Sequence, residues 1–148
     1  MNPKVEVSIT RTFQADHSLP DIGTAQRHTH SYSIECGYAQ EINSDLGCAQ
    51  PMQQATNQLL DVLSRIEGKY LNDVLPVPPT AEMLACWILA QLPPDCEWVS
   101  IRAYEGFMCK VERKHLLPWM EKLRTSRVRL RAGWTRWKLN CEMERKSG

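Results

Sequence analysis

Apolar and polar residues alternate along two stretches near the start of the chain. Between residues 5 and 17, Val5, Val7 and Ile9 alternate with polar residues and run in phase with Phe13 and His17. Residues 28–38 contain a matching series at every other position, namely His28, His30, Tyr32, Ile34 and Cys36. Because alternate side chains of a strand share one face, we predict two antiparallel strands that pair with each other.

A helical spacing of apolar residues replaces this alternation in the middle of the chain. The segment between Pro51 and Gly68 predicts a helix whose apolar stripe consists of Met52, Leu59, Leu60, Leu63 and Ile66. A second helix is predicted to begin after Thr80, which suits an N-cap, and to stop at Pro93 and Pro94. Its buried side is predicted to comprise Met83, Leu84, Trp87, Ile88 and Leu92.

Alternation returns after the second helix. Apolar residues at every other position run from Val99 to Ala103 and lead to Glu105, which ends the third predicted strand. Gly106 permits a turn, and residues 107–111 are predicted to return as a fourth strand. The element order is therefore ββααββ. We predict an α+β fold in which an antiparallel sheet carries both helices on one face.

Length, cysteines and the first residues place the chain in a broad class. A length of 148 residues fits one domain that buries a core without disulfides. Six cysteines are scattered without a Cys-x-x-Cys pair, and the first residues form no apolar signal region. We therefore expect a cytoplasmic protein with reduced thiols. No apolar run approaches the length of a membrane span, so no membrane partner is expected.

The charge is distributed unevenly although the net charge is only +1. Residues 114–148 contain ten Lys and Arg against three Glu, a balance of +7, so the other residues carry −6. We predict one domain over residues 1–113 and a basic C-terminal extension over residues 114–148. Arg and Trp interleave at residues 128–138, which suits phosphate contact and base stacking. Such a stretch more often packs on its own oligomer, so we favour that interpretation over nucleic acid.

Three of the four histidines form the main chemical signal. The spacing of His28 and His30 points both imidazoles to one face of a strand, and His17 lies in phase on the predicted partner strand. Three neutral nitrogens with one open position are the ligand set of a catalytic zinc. A pair of half-buried strand histidines without metal is the alternative, and the third histidine favours metal. His115 lies outside this cluster.

Five sequence pieces, in order, resemble the 6-pyruvoyltetrahydropterin synthase and 6-carboxytetrahydropterin synthase family. They are Phe13-x-Ala15-x-His17, His28-x-His30-x-Tyr32, Lys69-Tyr70-Leu71-Asn72-Asp73, Pro79-Thr80-Ala81-Glu82 and Tyr104-Glu105. The resemblance implies the T-fold, or tunnelling fold, whose sheets join into a barrel on oligomerisation, typically as a hexamer with active sites at subunit interfaces. It also implies Zn²⁺ on His17, His28 and His30, and lyase chemistry on 7,8-dihydroneopterin triphosphate.

The resemblance further implies that Glu105 anchors the pterin ring, assisted by Thr80, Ala81 and Glu82. The chemistry of a carboxylate agrees, because it can accept two hydrogen bonds from the amino group and ring N–H of a pterin edge. The alternative reading of Glu105 from its position alone is a strand-end glutamate that is exposed to solvent.

Two departures from the family pattern concern proton transfer. The family has a cysteine shortly before the His-x-His pair, but residues 18–27 contain none, and Thr24 stands four positions before His28. The family also has an Asp-His pair where this chain has Glu67 and Gly68. The candidate substitutes are Asp16, Asp21, Glu67 and a zinc-bound water, and Asp21 and Glu67 are the first two to test. The two main functional hypotheses are a divergent pterin lyase and a zinc- and pterin-binding paralogue without turnover, and a third, weaker one is a nucleic-acid-associated protein that uses the basic extension.

Overall fold

Four antiparallel strands form the sheet of the domain. The computed structural model describes residues 2–23, 25–49 and 52–124. The strands are β1 (Lys4–His17), β2 (His28–Glu41), β3 (Trp98–Tyr104) and β4 (Phe107–Glu112). They lie in the order β1-β2-β3-β4, and each neighbouring pair is antiparallel. All four predicted strands are therefore confirmed, with β2 extending three residues beyond the predicted end. The prediction that Glu105 ends the third strand was wrong, since β3 ends at Tyr104 and Glu105 lies in the turn that follows.

The pairing of β1 with β2 brings the predicted faces together. His17 lies opposite His28, Ala15 opposite His30, and Phe13 opposite Tyr32. Phe13, Ala15, His17 and Tyr32 are buried, whereas the residues between them are more exposed. The inner face of the sheet is therefore apolar in its middle and carries histidines where β1 ends and β2 begins.

Helices pack against this inner face and against one another. They are α1 (Gln53–Ser64), α2 (Leu71–Val74), α3 (Ala81–Gln91) and α4 (Pro118–Glu121). The Thr80 side chain accepts a hydrogen bond of 3.1 Å from the Met83 backbone N–H, so the predicted N-cap of α3 is confirmed. The two longer helices, α1 and α3, occupy the predicted places in the ββααββ order. The single turn α2 was not predicted, because four residues are too few to show a helical period.

One residue of the predicted apolar stripe of α1 faces the other way. Leu60 is 45% exposed, whereas Leu59, Val62 and Leu63 are buried. Leu59 and Leu63 are four positions apart and Val62 lies beside them on the same face, so Leu60 falls outside the stripe. The prediction for Leu60 was wrong, and Val62 takes that place in the core.

The segment after β4 folds back onto α3. Leu123 is buried, and its carbonyl oxygen accepts a hydrogen bond of 3.0 Å from the Gln91 side-chain amide. The Arg113 guanidinium donates to the carbonyl oxygens of Leu89, Leu92 and Pro93 at the end of α3. The domain boundary predicted at residue 113 stays a prediction, and the Arg and Trp stretch at residues 128–138 lies outside the described residues.

Two further properties of the described residues concern the length of the helices and the state of the cysteines. No helix within them is long and apolar enough to cross a membrane. The five cysteines found there, Cys36, Cys48, Cys86, Cys96 and Cys109, are all free thiols.

We predict that Gly37→Ala destabilises the domain. A Cβ at Gly37 would overlap Cε2 of Trp98, whose rigid indole is held by a 2.8 Å hydrogen bond from Nε1 to Glu6. Relieving the overlap requires the ring to move, so we expect a loss of about 1–3 kcal/mol in the free energy of unfolding. Gly23→Ala is the control, because a Cβ added at Gly23 would meet nothing within 4 Å. Equal urea midpoints for the two variants would contradict the prediction.

Candidate metal centre

The three histidines of the sequence motif converge at the ends of β1 and β2. Nε2 of His28 lies 2.9 Å from Nε2 of His17 and 3.0 Å from Nε2 of His30. The three residues form the one group of metal-ligating side chains within the described part of the chain that offers its ligand atoms within 4.8 Å of one another. The pairing of β1 with β2 therefore brings together the three histidines that the sequence predicted to meet.

Backbone carbonyl groups set the orientation of two of these rings. Nδ1 of His17 donates to the carbonyl oxygen of Pro79 at 2.7 Å, and Nδ1 of His28 donates to that of Gln26 at 2.9 Å. A proton on Nδ1 leaves the lone pair on Nε2, which is the atom that faces the other histidines. Hydrogen bonding of the distal ring nitrogen to a carbonyl is the usual support of a metal-bound histidine.

The surroundings of His17 and His30 favour the neutral form of both rings. His17 is 4% exposed, and burial lowers its pKa below the usual 6.5. Burial also lowers the pKa of His30, and the neighbouring His17 and His28 add to this effect. The Tyr32 ring contributes to the apolar surroundings, since its centroid lies 5.7 Å from that of His30. Neutral imidazoles are the form that binds a metal ion.

This donor set fits a metal ion such as zinc. Two ligands of a tetrahedral ion with bonds of ~2.0 Å are separated by roughly 3.3 Å, close to the separations of the Nε2 atoms. Three histidines leave a fourth position for a water molecule or a substrate atom. The three histidines could therefore hold a metal ion in an open site.

A cavity of about 580 Å³ lies beside the centre. Ser18, the residue after His17, lines it, as do Pro79 and Thr80 from the segment that contacts His17. Its remaining walls are mostly apolar, from Leu19, Pro20, Ile22, Leu75, Pro76, Val77, Pro78 and Met83, and Asp21 and Asn72 add polar groups. A concave, mostly apolar space with few polar groups is typical of a small-molecule site.

The segment at residues 68–72 forms hydrogen bonds with the end of β1. The Asn72 side chain accepts a hydrogen bond from the Ser18 N–H at 2.9 Å and donates one to the Ser18 carbonyl at 3.0 Å. The hydroxyl groups of Ser18 and Tyr70 share a hydrogen bond of 2.5 Å. These contacts hold the backbone on both sides of Ser18, and therefore restrain His17. Sequence reasoning did not identify Ser18 and Asn72 as supports of the centre.

Asp16 is already engaged by neighbouring groups. Hydrogen bonds from Thr29 at 2.6 Å and from Arg27 at 2.9 Å lower the pKa of its carboxyl group. The Arg27 guanidinium also lies 4.4 Å from the centroid of the Tyr70 ring. A carboxylate with a lowered pKa is a weak base, so Asp16 is a poor substitute for the missing catalytic groups.

The predicted site residues occupy different positions around the centre. Asp21 and Thr80 line the cavity, although Asp21 is exposed and Thr80 caps α3. Ala81 is buried in the first turn of α3, and Glu82 is exposed beside it. Glu67 and Glu105 are also exposed, in the turns after α1 and β3, and they do not line the cavity. Thr24 lies outside the described residues. The roles assigned to these residues stay predictions.

Comparison with known proteins identifies the class. Residues 6–115 match the family described as 6-pyruvoyl tetrahydropterin synthase, a stretch that contains the three histidines and the cavity. The chain belongs to this family.

Solved structures show the same fold. The structure of 6-pyruvoyl tetrahydropterin synthase from Caenorhabditis elegans aligns with a TM-score of 0.68 at 16% identity, over 75% of this chain and 96% of that one. The corresponding protein from Plasmodium falciparum aligns with a TM-score of 0.59 at 14% identity, over 74% and 98%. The predicted T-fold is therefore confirmed.

Proposed function

We propose that this chain binds Zn²⁺ through His17, His28 and His30 and acts by lyase chemistry on a reduced pterin such as 7,8-dihydroneopterin triphosphate. The convergence of three Nε2 atoms, 2.9 and 3.0 Å apart, carries the proposal. Family membership supports the pterin as the class of ligand. When bound, zinc supplies a Lewis acid that polarises hydroxyl groups of the pterin side chain.

The chain would hold the pterin ring between the C-terminal end of β3 and the start of α3. Glu105 can accept hydrogen bonds from the amino group and ring N–H of the pterin, and its exposure leaves both carboxylate oxygens available. Thr80, Ala81 and Glu82 assist from the start of α3. Thr80 also lines the cavity, whose volume lies within the ~300–1,000 Å³ of small-molecule sites, whereas Glu105 lies outside its lining.

Asp21 is the better placed of the two candidate bases. It lines the cavity together with Ser18, the neighbour of the ligand His17, whereas Glu67 lies on an exposed turn outside the cavity lining. Asp21 would accept or return the proton that the family's cysteine and histidine handle.

A zinc- and pterin-binding paralogue without turnover is the second candidate. Gly68, at the position of the family histidine, has no side chain and adopts a left-handed backbone with φ of 71°. Its N–H donates to the Gln14 carbonyl at 2.7 Å, so this turn serves to hold β1. Such a protein would act as a carrier, sensor or subunit, and would keep the binding residues.

Oligomerisation is part of the proposal. Both outer strands, β1 and β4, have an unpaired edge within the described sheet. Barrel closure with further copies would satisfy their backbone groups. We propose a cytoplasmic homohexamer, as expected from the family, with the pterin site near the subunit interfaces.

Glu105→Gln tests the anchoring role. The change keeps the shape but removes the charge that strengthens both hydrogen bonds, so we expect a loss of about 1.5–3 kcal/mol, or roughly a 10- to 150-fold higher Kd. Titration calorimetry of the zinc-loaded protein with neopterin, a stable pterin, measures it. Glu97→Gln is the matched control, since Glu97 is an exposed glutamate just before the opposite end of β3. Equal affinities for the two variants would remove Glu105 from the site.

A further inference from the structure

A β-bulge at the end of β3 changes the direction of its last side chain. Ile101 and Ala103 are buried on the inner face, whereas Arg102 is exposed on the opposite face. Simple alternation would place Tyr104 on the same face as Arg102. A register shift between Arg102 and Tyr104 interrupts this alternation.

The ring of Tyr104 consequently lies on the inner side, beside the histidines. It stacks on Phe107 with centroids 5.1 Å apart and an angle of 23°, and Phe107 packs against the core. The same ring lies 6.2 Å from the His30 ring, at an angle of 35°. Bulges next to active sites commonly redirect a side chain in this way.

Much of Tyr104 stays exposed to solvent although its ring stacks on Phe107. Tyr104 is 59% exposed, whereas Tyr32, on the same side of the sheet, is 1% exposed. Phe107 supports the ring from one side and restricts its rotation. An aromatic ring that is supported on one side and open on the other is a preformed stacking surface for a planar ligand.

We propose that Tyr104 is a specificity-determining residue that stacks on the flat bicyclic ring of the ligand. The inference rests on the proposed function, because it takes the ligand to be a pterin. Glu105, the next residue, would bind the edge of the ring, and Tyr104 would cover its face. A fully flat ring satisfies both contacts over its whole face, whereas in a tetrahydropterin only the pyrimidine half is flat and the stacking contact is smaller.

Substitutions at Tyr104 test the stacking role. Zinc-loaded wild type, Tyr104→Phe and Tyr104→Leu are titrated with neopterin, which is flat, and with tetrahydrobiopterin, which is puckered. Stacking on an aromatic ring predicts roughly a 5- to 100-fold weaker affinity for neopterin in Tyr104→Leu and a change of less than about threefold in Tyr104→Phe. The affinity for tetrahydrobiopterin should fall less, because only the pyrimidine half of its ring is flat. Met108→Ala is the control, since Met108 is 51% exposed on β4 opposite Arg102.

Zinc content and native mass by light scattering accompany each titration. An unchanged neopterin affinity in Tyr104→Leu, or an equal loss of affinity for both pterins, would overturn the inference about Tyr104. The proposed function would still stand in that case, provided that the wild type binds neopterin. A lower native mass of Tyr104→Leu would also overturn it, because the ring would then pack on another copy of the chain. An equal loss in Tyr104→Phe would assign the effect to the hydroxyl group. Failure of the wild type to bind neopterin would overturn the proposed function itself.

Discussion

His28→Ala is expected to abolish stoichiometric zinc binding. Nε2 of His28 lies 2.9 Å from that of His17 and 3.0 Å from that of His30, so its removal leaves only two of the three donors. Loss of a mere supporting contact to a metal ligand typically costs 10- to 100-fold in affinity, and loss of a ligand should cost more than about 100-fold. Metal analysis of protein purified without a histidine tag, after dialysis against a weak chelator, measures the effect.

His115→Ala provides the matched control for this experiment. It removes the fourth histidine of the chain, which is exposed and lies outside the cluster. We expect it to retain about one zinc per chain, as the wild type should. If His28→Ala also retains one zinc per chain, the metal assignment is wrong.

Turnover of 7,8-dihydroneopterin triphosphate is expected to be feeble even where pterin binding is intact. In the proposed function, binding and polarisation use the histidines and Glu105, whereas proton transfer would need the cysteine and histidine of the family, which have no counterpart at the matching positions of this chain. A positioned proton-transfer group typically contributes 10²–10⁴-fold to a rate, so the loss of two such groups leaves little activity. The rate is measured as the release of triphosphate or acetaldehyde, with the zinc-loaded protein in molar excess over the ligand.

The residual activity discriminates between the two candidate bases. Because Asp21 lines the cavity and Glu67 does not, Asp21→Asn should remove the remaining activity and Glu67→Gln should preserve it. Robust turnover by the wild type would contradict the expectation of a weak enzyme. Complete absence of turnover, together with tight neopterin binding, would favour the paralogue without catalysis.

The strands of this fold were predictable because their pattern is local. Alternation between Val5 and His17 and between His28 and Cys36 identified both strands and their shared face, and the observed register pairs His17 with His28. The metal centre followed from this pairing, since three histidines in phase on two neighbouring strands must meet. Leu60 was assigned to the wrong face because two adjacent leucines fit a helical stripe almost equally well.

Contacts between distant parts of the chain were not predictable from spacing. The Pro79 carbonyl that orients His17 is 62 positions away in sequence, and the bonds between Ser18 and Asn72 span 54 positions. A backbone carbonyl leaves no signal in a residue pattern. The bulge before Tyr104 is similar, because the alternation of β3 gives no sign that the last side chain turns inward.

Diffraction from crystals grown with zinc and neopterin, with data collected on both sides of the zinc absorption edge, tests the central claim most directly. The account predicts one anomalous peak per chain, bonded to Nε2 of His17, His28 and His30. It also predicts a pterin ring whose edge meets Glu105. An absence of zinc at the three histidines, or a pterin bound away from Glu105, would contradict it.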